Sequence, residues 1–163
     1  MTFEGWKPAA GLKVAAADHG STLRPVSPPF RHRLRVRYSE CDLQGVVFNA
    51  NYLTYLDDTM TELFRTALNG GYGAMVDAGV DMVVAESTLR YLAPARFDDE
   101  IEVQATVTRL GTTGMTMSLT IARGAETLNE AELRYVFVNA QEGGKAPIPD
   151  EVREALEPWS TSE

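Results

Sequence analysis

Arg35-Val36-Arg37-Tyr38-Ser39-Glu40-Cys41-Asp42-Leu43-Gln44-Gly45-Val46-Val47-Phe48-Asn49-Ala50-Asn51-Tyr52-Leu53 is the stretch in which the hydrophobic period changes. Upstream, His32, Leu34, Val36 and Tyr38 alternate with Arg31, Arg33, Arg35 and Arg37, the two-residue period of a strand with one wet face. Downstream, Leu53, Leu56, Met60, Leu63, Phe64 and Ala67 fall at i, i+3, i+4 spacing. That spacing predicts an amphipathic helix from about Asn51 to Leu68, roughly 27 Å long. Asn49 or Asn51 suits its N-cap, and Asn69-Gly70-Gly71 supplies its stop. The residues between, Ser39 to Phe48, read as a loop.

Beyond the helix the pattern is strand to Ala140. Val80 to Leu92 forms a long first segment, and Ile101, Val103, Ala105 and Val107 then alternate with polar neighbours. Met115, Met117, Leu119 and Ile121 do the same, followed by Leu133, Tyr135 and Phe137. Gly111-Thr112-Thr113-Gly114 and Arg123-Gly124-Ala125-Glu126 have turn chemistry. Pro149 to Leu156 reads as a short closing helix. Strand, long helix, then four strands favours an α+β fold, one antiparallel five-stranded sheet wrapped around one central helix. A single helix leaves part of such a sheet bare, so pairing of subunits is expected.

The chain has 163 residues, one domain's worth, of which 44% are hydrophobic and 23% charged. Residues 1–29, with four prolines, three glycines and no sustained period, read as a loosely structured extension. The domain is expected over 30–158, with a tail at 159–163. Fifteen basic against 23 acidic residues give a net charge of −8, which argues against nucleic acid as a partner. Cys41 is the sole cysteine, so neither an intramolecular disulfide nor a thiolate metal cluster can form, and His19 and His32 lack ligand spacing. No metal site is expected. Apolar runs are too short to span a bilayer and no secretory leader is evident, so a cytoplasmic protein without membrane contact is expected.

The quoted segment resembles the signature of the 4-hydroxybenzoyl-CoA thioesterase family, through its Tyr-x-x-x-Asp-x-x-Gly-Val-Val-x-x-x-Asn-Tyr-Leu pattern. The similarity continues through Arg90-Tyr91-Leu92-Ala93-Pro94-Ala95 and Asp98-Asp99-Glu100-Ile101. The resemblance implies a hotdog fold, a dimer or tetramer, and hydrolysis of an acyl-CoA thioester without metal or redox cofactor. It places the catalytic carboxylate at Asp42 and an oxyanion contact at the amide near Asn49. It also puts Gly45, Val46, Val47 and Asn51 at the substrate, with Tyr38 a further candidate that core packing explains better.

The residues fit that chemistry. Gly45 permits a turn that a side chain would obstruct, directly before a helix. A helix N-terminus presents unpaired N–H groups and partial positive charge, suited to a developing oxyanion. Asp42 can then attack the thioester carbonyl to give a mixed anhydride, or activate a water as general base. Both roles need a carboxylate ionised at neutrality, as an ordinary aspartate is. The bland alternative for Asp42 is an Asx-turn, and Glu40 is the competing carboxylate. Cys41 reads as a small buried apolar residue. Many bacterial members carry histidine where this chain has Asn49, so a histidine-assisted step is unavailable here.

Asp57, Asp58 and Glu62 on the helix read as a solvated or interface face. Arg90, Arg96, Arg109 and Arg123 are candidates for the CoA phosphates, since a guanidinium matches phosphate geometry. The four arginines of the first strand read as a solvated face paired with acids, or as a strip beside a phosphorylated ligand. Two other functions compete: an acyl-CoA-binding module without turnover, and a hydratase or dehydratase, which requires an Asp/His pair.

Overall fold

The computed structural model describes residues 28–161. The extension expected over 1–29 therefore lies, apart from Pro28 and Pro29, outside the described residues. Strand β1 (Phe30–Arg35) leads through a short 3-10 turn at Tyr38–Glu40 to helix α1 (Asn51–Ala67) and a short helix α2 (Gly71–Asp77). Strands β2 (Val80–Tyr91), β3 (Glu100–Leu110), β4 (Gly114–Arg123) and β5 (Glu126–Asn139) follow, and helix α3 (Asp150–Leu156) closes the fold. The five strands form one antiparallel sheet in the order β1-β3-β4-β5-β2, the α+β arrangement that the order of periods implies.

Alternation on the strands decides which face is dry. Ile101, Val103, Ala105 and Val107 of β3, Met115, Met117, Leu119 and Ile121 of β4, and Leu133, Tyr135 and Phe137 of β5 are all buried. The stripe of α1 covers them, with Leu56, Leu63 and Phe64 fully enclosed in the same core. Burying such a side chain contributes about 1.5–3 kcal/mol, which outweighs the modest strand and helix propensities involved.

The buried stripe differs from the one the apolar residues suggest. It runs through Tyr52, Tyr55, Leu56, Thr59, Met60, Leu63 and Phe64, while Leu53 is 41% exposed. Two tyrosines can take the inner face because each hydroxyl finds a partner there. Ala95 N donates to the Tyr52 hydroxyl at 2.9 Å, and the Tyr55 hydroxyl donates to Glu40 Oε2 at 2.7 Å. The N-cap is Ala50, with no side-chain capping bond, so neither Asn49 nor Asn51 caps the helix. Asn51 instead donates its side-chain amide to Glu40 O at 2.8 Å.

Helix α2 carries no pattern that distinguishes it in the sequence. It begins after Gly70, whose φ of 88° only glycine adopts readily, and anchors through buried Met75 and the Tyr72 ring on Phe64. At the C-terminus, residues expected as tail are docked on the sheet. Trp159 stands edge-on to Phe30, and Thr161 N donates to Val107 O at 2.9 Å.

Candidate active site

The loop between β1 and α1 is braced from three sides. Val36 is buried and exchanges backbone bonds with Asp98 and Asp99. Glu40 Oε2 accepts from Arg37 N at 2.7 Å as well as from Tyr55, and Glu40 O accepts from Phe48 N at 2.9 Å. Glu40 is thus the brace of the loop rather than a carboxylate open to substrate. Burial and the bond to Glu40 together push the Tyr55 hydroxyl well above its ordinary pKa, so it stays a donor.

Within that frame Cys41 to Val47 folds into a small hairpin. Cys41 bridges Val47, Asp42 N donates to Val46 O at 2.9 Å, and Gly45 turns the chain with a φ of 74°. Val47 N donates to Ala95 O at 2.9 Å and Val46 bridges Arg96, which fastens the hairpin to the strand-end segment after β2. Gln44 N donates to Asp42 Oδ1 at 2.8 Å. Asp42 is therefore in an Asx-turn, and the turn fixes its carboxylate by one oxygen while leaving Oδ2 uncommitted. Cys41 is only half-buried.

Between this hairpin, the start of α1 and the segment Tyr91–Pro94 lies an open hollow of about 440 Å³. Asp42, Val46, Val47, Phe48, Asn49 and Tyr52 line one side, and Tyr91, Leu92, Ala93 and Pro94 the other. Asn51 N and Tyr52 N are bonded back to Phe48 O and Asn49 O, but among the described residues the amides of Asn49 and Ala50 have no protein acceptor. One hollow is therefore lined by a carboxylate oriented by a turn and by Asn49, whose free amide is followed by that of Ala50 at the helix start. Burial outweighs the bond from Ala95 and raises the Tyr52 pKa, so its hydroxyl is neutral.

Several candidate residues lie elsewhere. Tyr38 is 80% exposed and stands edge-on to Phe97 outside the hollow, so it is neither core nor wall. Its strand has already ended at Arg35, which frees the ring from the alternation. Asn51 turns toward Glu40, as described above. Gly45 stands at the hairpin tip. Arg90 pairs with Glu130 at 2.7 Å, and Arg123 with Asp99 and Glu126, so their guanidinium groups are already matched to carboxylates. Arg109 lines a separate shallow hollow with Arg134 and Lys145. Only Arg96, exposed and bridged through its backbone to Val46, adjoins the hollow.

A larger hollow, about 620 Å³, runs along β1 beside Arg31, Arg33 and Arg35. Arg31 and Arg33 both bond Glu102, and Arg35 bonds Asp98 and Glu100. The paired reading of these arginines is the one observed. Burial pushes the Glu102 carboxyl up, but bonds from Arg31, Arg33 and Gln104 outweigh it and hold the group below the usual carboxylate range.

His32 has an acid partner that its position in sequence did not suggest: Nε2 lies 2.9 Å from Asp58 Oδ2, across the seam of β1 and α1. Neither residue lines the hollow of Asp42. Glu62 bonds Arg65 one turn on. Among the described residues no three His, Cys, Asp or Glu side chains are grouped to hold a metal, and no helix is long and apolar enough to cross a membrane. The walls that sequence reasoning passed over are Tyr52, Phe48 and Tyr91–Pro94. Tyr91–Pro94 falls inside the Arg90–Ala95 match, which was the available signal.

The profile of the Thioesterase-like superfamily matches residues 36–156. The chain belongs to that superfamily, its fold is the hotdog fold, and it is a thioester hydrolase. Among relatives, the acyl-CoA thioester hydrolase YbgC of Escherichia coli O6:H1 is 35% identical over 111 residues, covering 68% of this chain and 82% of the relative. A solved hypothetical protein from Aquifex aeolicus superposes with a TM-score of 0.74 at 30% identity, covering 78% of this chain and 99% of that one. A hypothetical protein from Thermus thermophilus gives 0.72 at 28% identity, covering 79% and 98%.

Proposed function

We propose that this hydrolase cleaves acyl-CoA thioesters in the hollow beneath Asp42. The observation that carries the reading is the meeting, at one hollow, of a carboxylate with a free oxygen and of Asn49, whose unbonded amide is followed by that of Ala50 at the start of α1. The thioester carbonyl oxygen points at those amides, which stabilise the negative charge formed on attack. In one version Asp42 Oδ2 attacks the carbonyl carbon, the C–S bond breaks, CoA leaves as thiolate, and water hydrolyses the mixed anhydride. In the other, Asp42 takes a proton from water as its oxygen attacks, and the same C–S bond breaks. The Asn49 side chain carries no proton in either; its contribution is the backbone amide.

Tyr52 and Tyr91 wall the acyl end, and Arg96 meets the CoA phosphates outside the hollow, an exposed contact that salt should weaken. Two copies pair along β2, an outer strand whose Val83 and Val84 are exposed, so that light scattering gives at least twice 17.9 kDa. No metal enters the scheme, and chelators leave the rate unchanged.

The test is thiol release from a panel of acyl-CoAs. Asp42→Asn keeps the Asx-turn acceptor but removes the base, and kcat falls at least ~10²-fold while a non-hydrolysable acyl-CoA analogue still binds. Normal turnover by Asp42→Asn, or tight analogue binding with no turnover by the native chain, would overturn the reading, the latter in favour of a binding module.

A further inference from the structure

Asn129 of β5 is fully buried, and neither its Nδ2 nor its Oδ1 has a hydrogen-bond partner among the described residues. Flipping the amide exchanges two unpartnered atoms and repairs nothing. A buried amide left this way bears the full penalty of losing water, which native interiors rarely tolerate without a functional reason. A leucine, branched at the same carbon, would carry no polar atom to leave unpaired there.

Its place in the sheet is informative. Asn129 shares the dry face with Ala131, Leu133, Tyr135 and Phe137, and its cross-strand partners are Ile121 of β4 and Tyr91 of β2. Tyr91 is a wall of the Asp42 hollow. Next in the wall, Leu92 N and Ala93 N both donate to the carbonyl of Leu128, the residue before Asn129. The orphan amide therefore lies beside the wall residue Tyr91, on the strand that also holds Leu92 and Ala93 through Leu128. That wall is lightly held: the Tyr91 ring is half-exposed, stands edge-on to Tyr52, and donates one 3.2 Å bond to Asn49 O.

We infer that Asn129 is a specificity-determining residue of the thioester site, reading a hydroxyl group on the acyl moiety once the Tyr91 ring turns aside. A hydroxyl is the smallest group that answers both halves of the amide, accepting from Nδ2 while donating to Oδ1. A plain hydrocarbon acyl chain answers neither. The inference rests on the thioesterase reading of the hollow.

The experiment measures kcat/KM for matched pairs, hexanoyl-CoA with 3-hydroxyhexanoyl-CoA and benzoyl-CoA with its ring-hydroxylated counterparts, on the native chain and on Asn129→Leu. The native chain favours a hydroxylated member by at least about tenfold, and Asn129→Leu reduces that preference to about twofold or less. Thermal melting of Asn129→Leu stays level or rises, since an unpaired polar group has been removed. Asn129→Ser, smaller and still polar, keeps part of the preference and guards against a packing artefact. Thiol release with the same ratio in native chain and Asn129→Leu overturns this inference alone and leaves Asn129 a structural residue. No release from any acyl-CoA overturns the functional reading and this inference with it.

Discussion

The arginine ladder of β1 and the loop that follows it are neighbours in sequence and opposites in chemistry. The ladder borders the larger hollow, about 620 Å³ against about 440 Å³, and carries the densest positive charge in the chain. Yet each of Arg31, Arg33 and Arg35 bonds a carboxylate from β3 or the turn before it. The loop has less charge but keeps hydrogen-bonding capacity in hand, at Asp42 Oδ2 and the amides of Asn49 and Ala50. Free capacity, rather than volume or charge, separates a site from a surface. Exposed, mutually satisfied ion pairs contribute little and attract little.

The comparison breaks most visibly at Asn49. This residue holds the second position of the turn closed by Asn51 N and Phe48 O at 2.9 Å, where proline is favoured. Asn49→Pro therefore deletes one free amide without costing a protein hydrogen bond, and kcat falls ~10²–10³-fold with the melting temperature little changed. Arg33→Ala on the ladder leaves kcat as it was. Equal losses in steady-state assays of the two variants would erase the difference between ladder and loop.

Glu40 comes next. Replacing it by alanine leaves the Tyr55 hydroxyl and Arg37 N without their acceptor, and chemical denaturation should record a loss of about 1–3 kcal/mol. Glu40→Gln keeps an acceptor oxygen and loses less. If Glu40→Gln abolished turnover in a fully folded protein, the catalytic carboxylate would be Glu40 and the brace reading would be wrong.

Titration separates the regions at opposite ends of the pH scale. Tyr52 and Tyr55 beneath the loop have raised pKa values, so an unfolded chain loses those protons first as pH climbs. Their contribution is whole below about pH 10, the ordinary tyrosine value, and declines above it. Glu102 in the ladder is held low, so the unfolded chain takes up its proton first as pH falls. Its contribution is whole above the ordinary glutamate value of about 4.3 and declines below. Stability curves that fell only on the acid side would contradict the assignment of the tyrosines.

The smallest effect is in the ladder itself. Arg31→Ala or Arg33→Ala should cost no more than about 1 kcal/mol, since these side chains are exposed. That difference should shrink in high salt, because screening acts on exposed pairs.

Periodicity was enough for the order of the strands and the long helix and for the dry face of β3, β4 and β5, because alternation and the i, i+3, i+4 rule record burial directly in residue type. It misjudged α1 at its first turn, where Tyr52 and Tyr55 took the inner face and Leu53 was left outside. Residue type alone does not reveal that Ala95 N and Glu40 wait there for two hydroxyls. It also missed α2, whose seven residues owe their helix to Gly70 and to packing of Tyr72 and Met75. The four candidate arginines were chosen for chemistry; in the fold Arg90 and Arg123 pair with carboxylates, mostly distant in sequence, and Arg109 lies at a separate hollow.

The sequence by itself determined the α+β order and the loop-to-helix segment that carries Asp42, since these depend on local spacing and on residue chemistry. The tertiary structure alone decided that Tyr91–Pro94 closes the hollow, that Glu40 braces the loop, that His32 meets Asp58, and that Asn129 is buried without a partner beside Tyr91. Each of those is a contact between residues far apart in the chain. Which polar atoms end with partners and which without is fixed only when strands and helix pack.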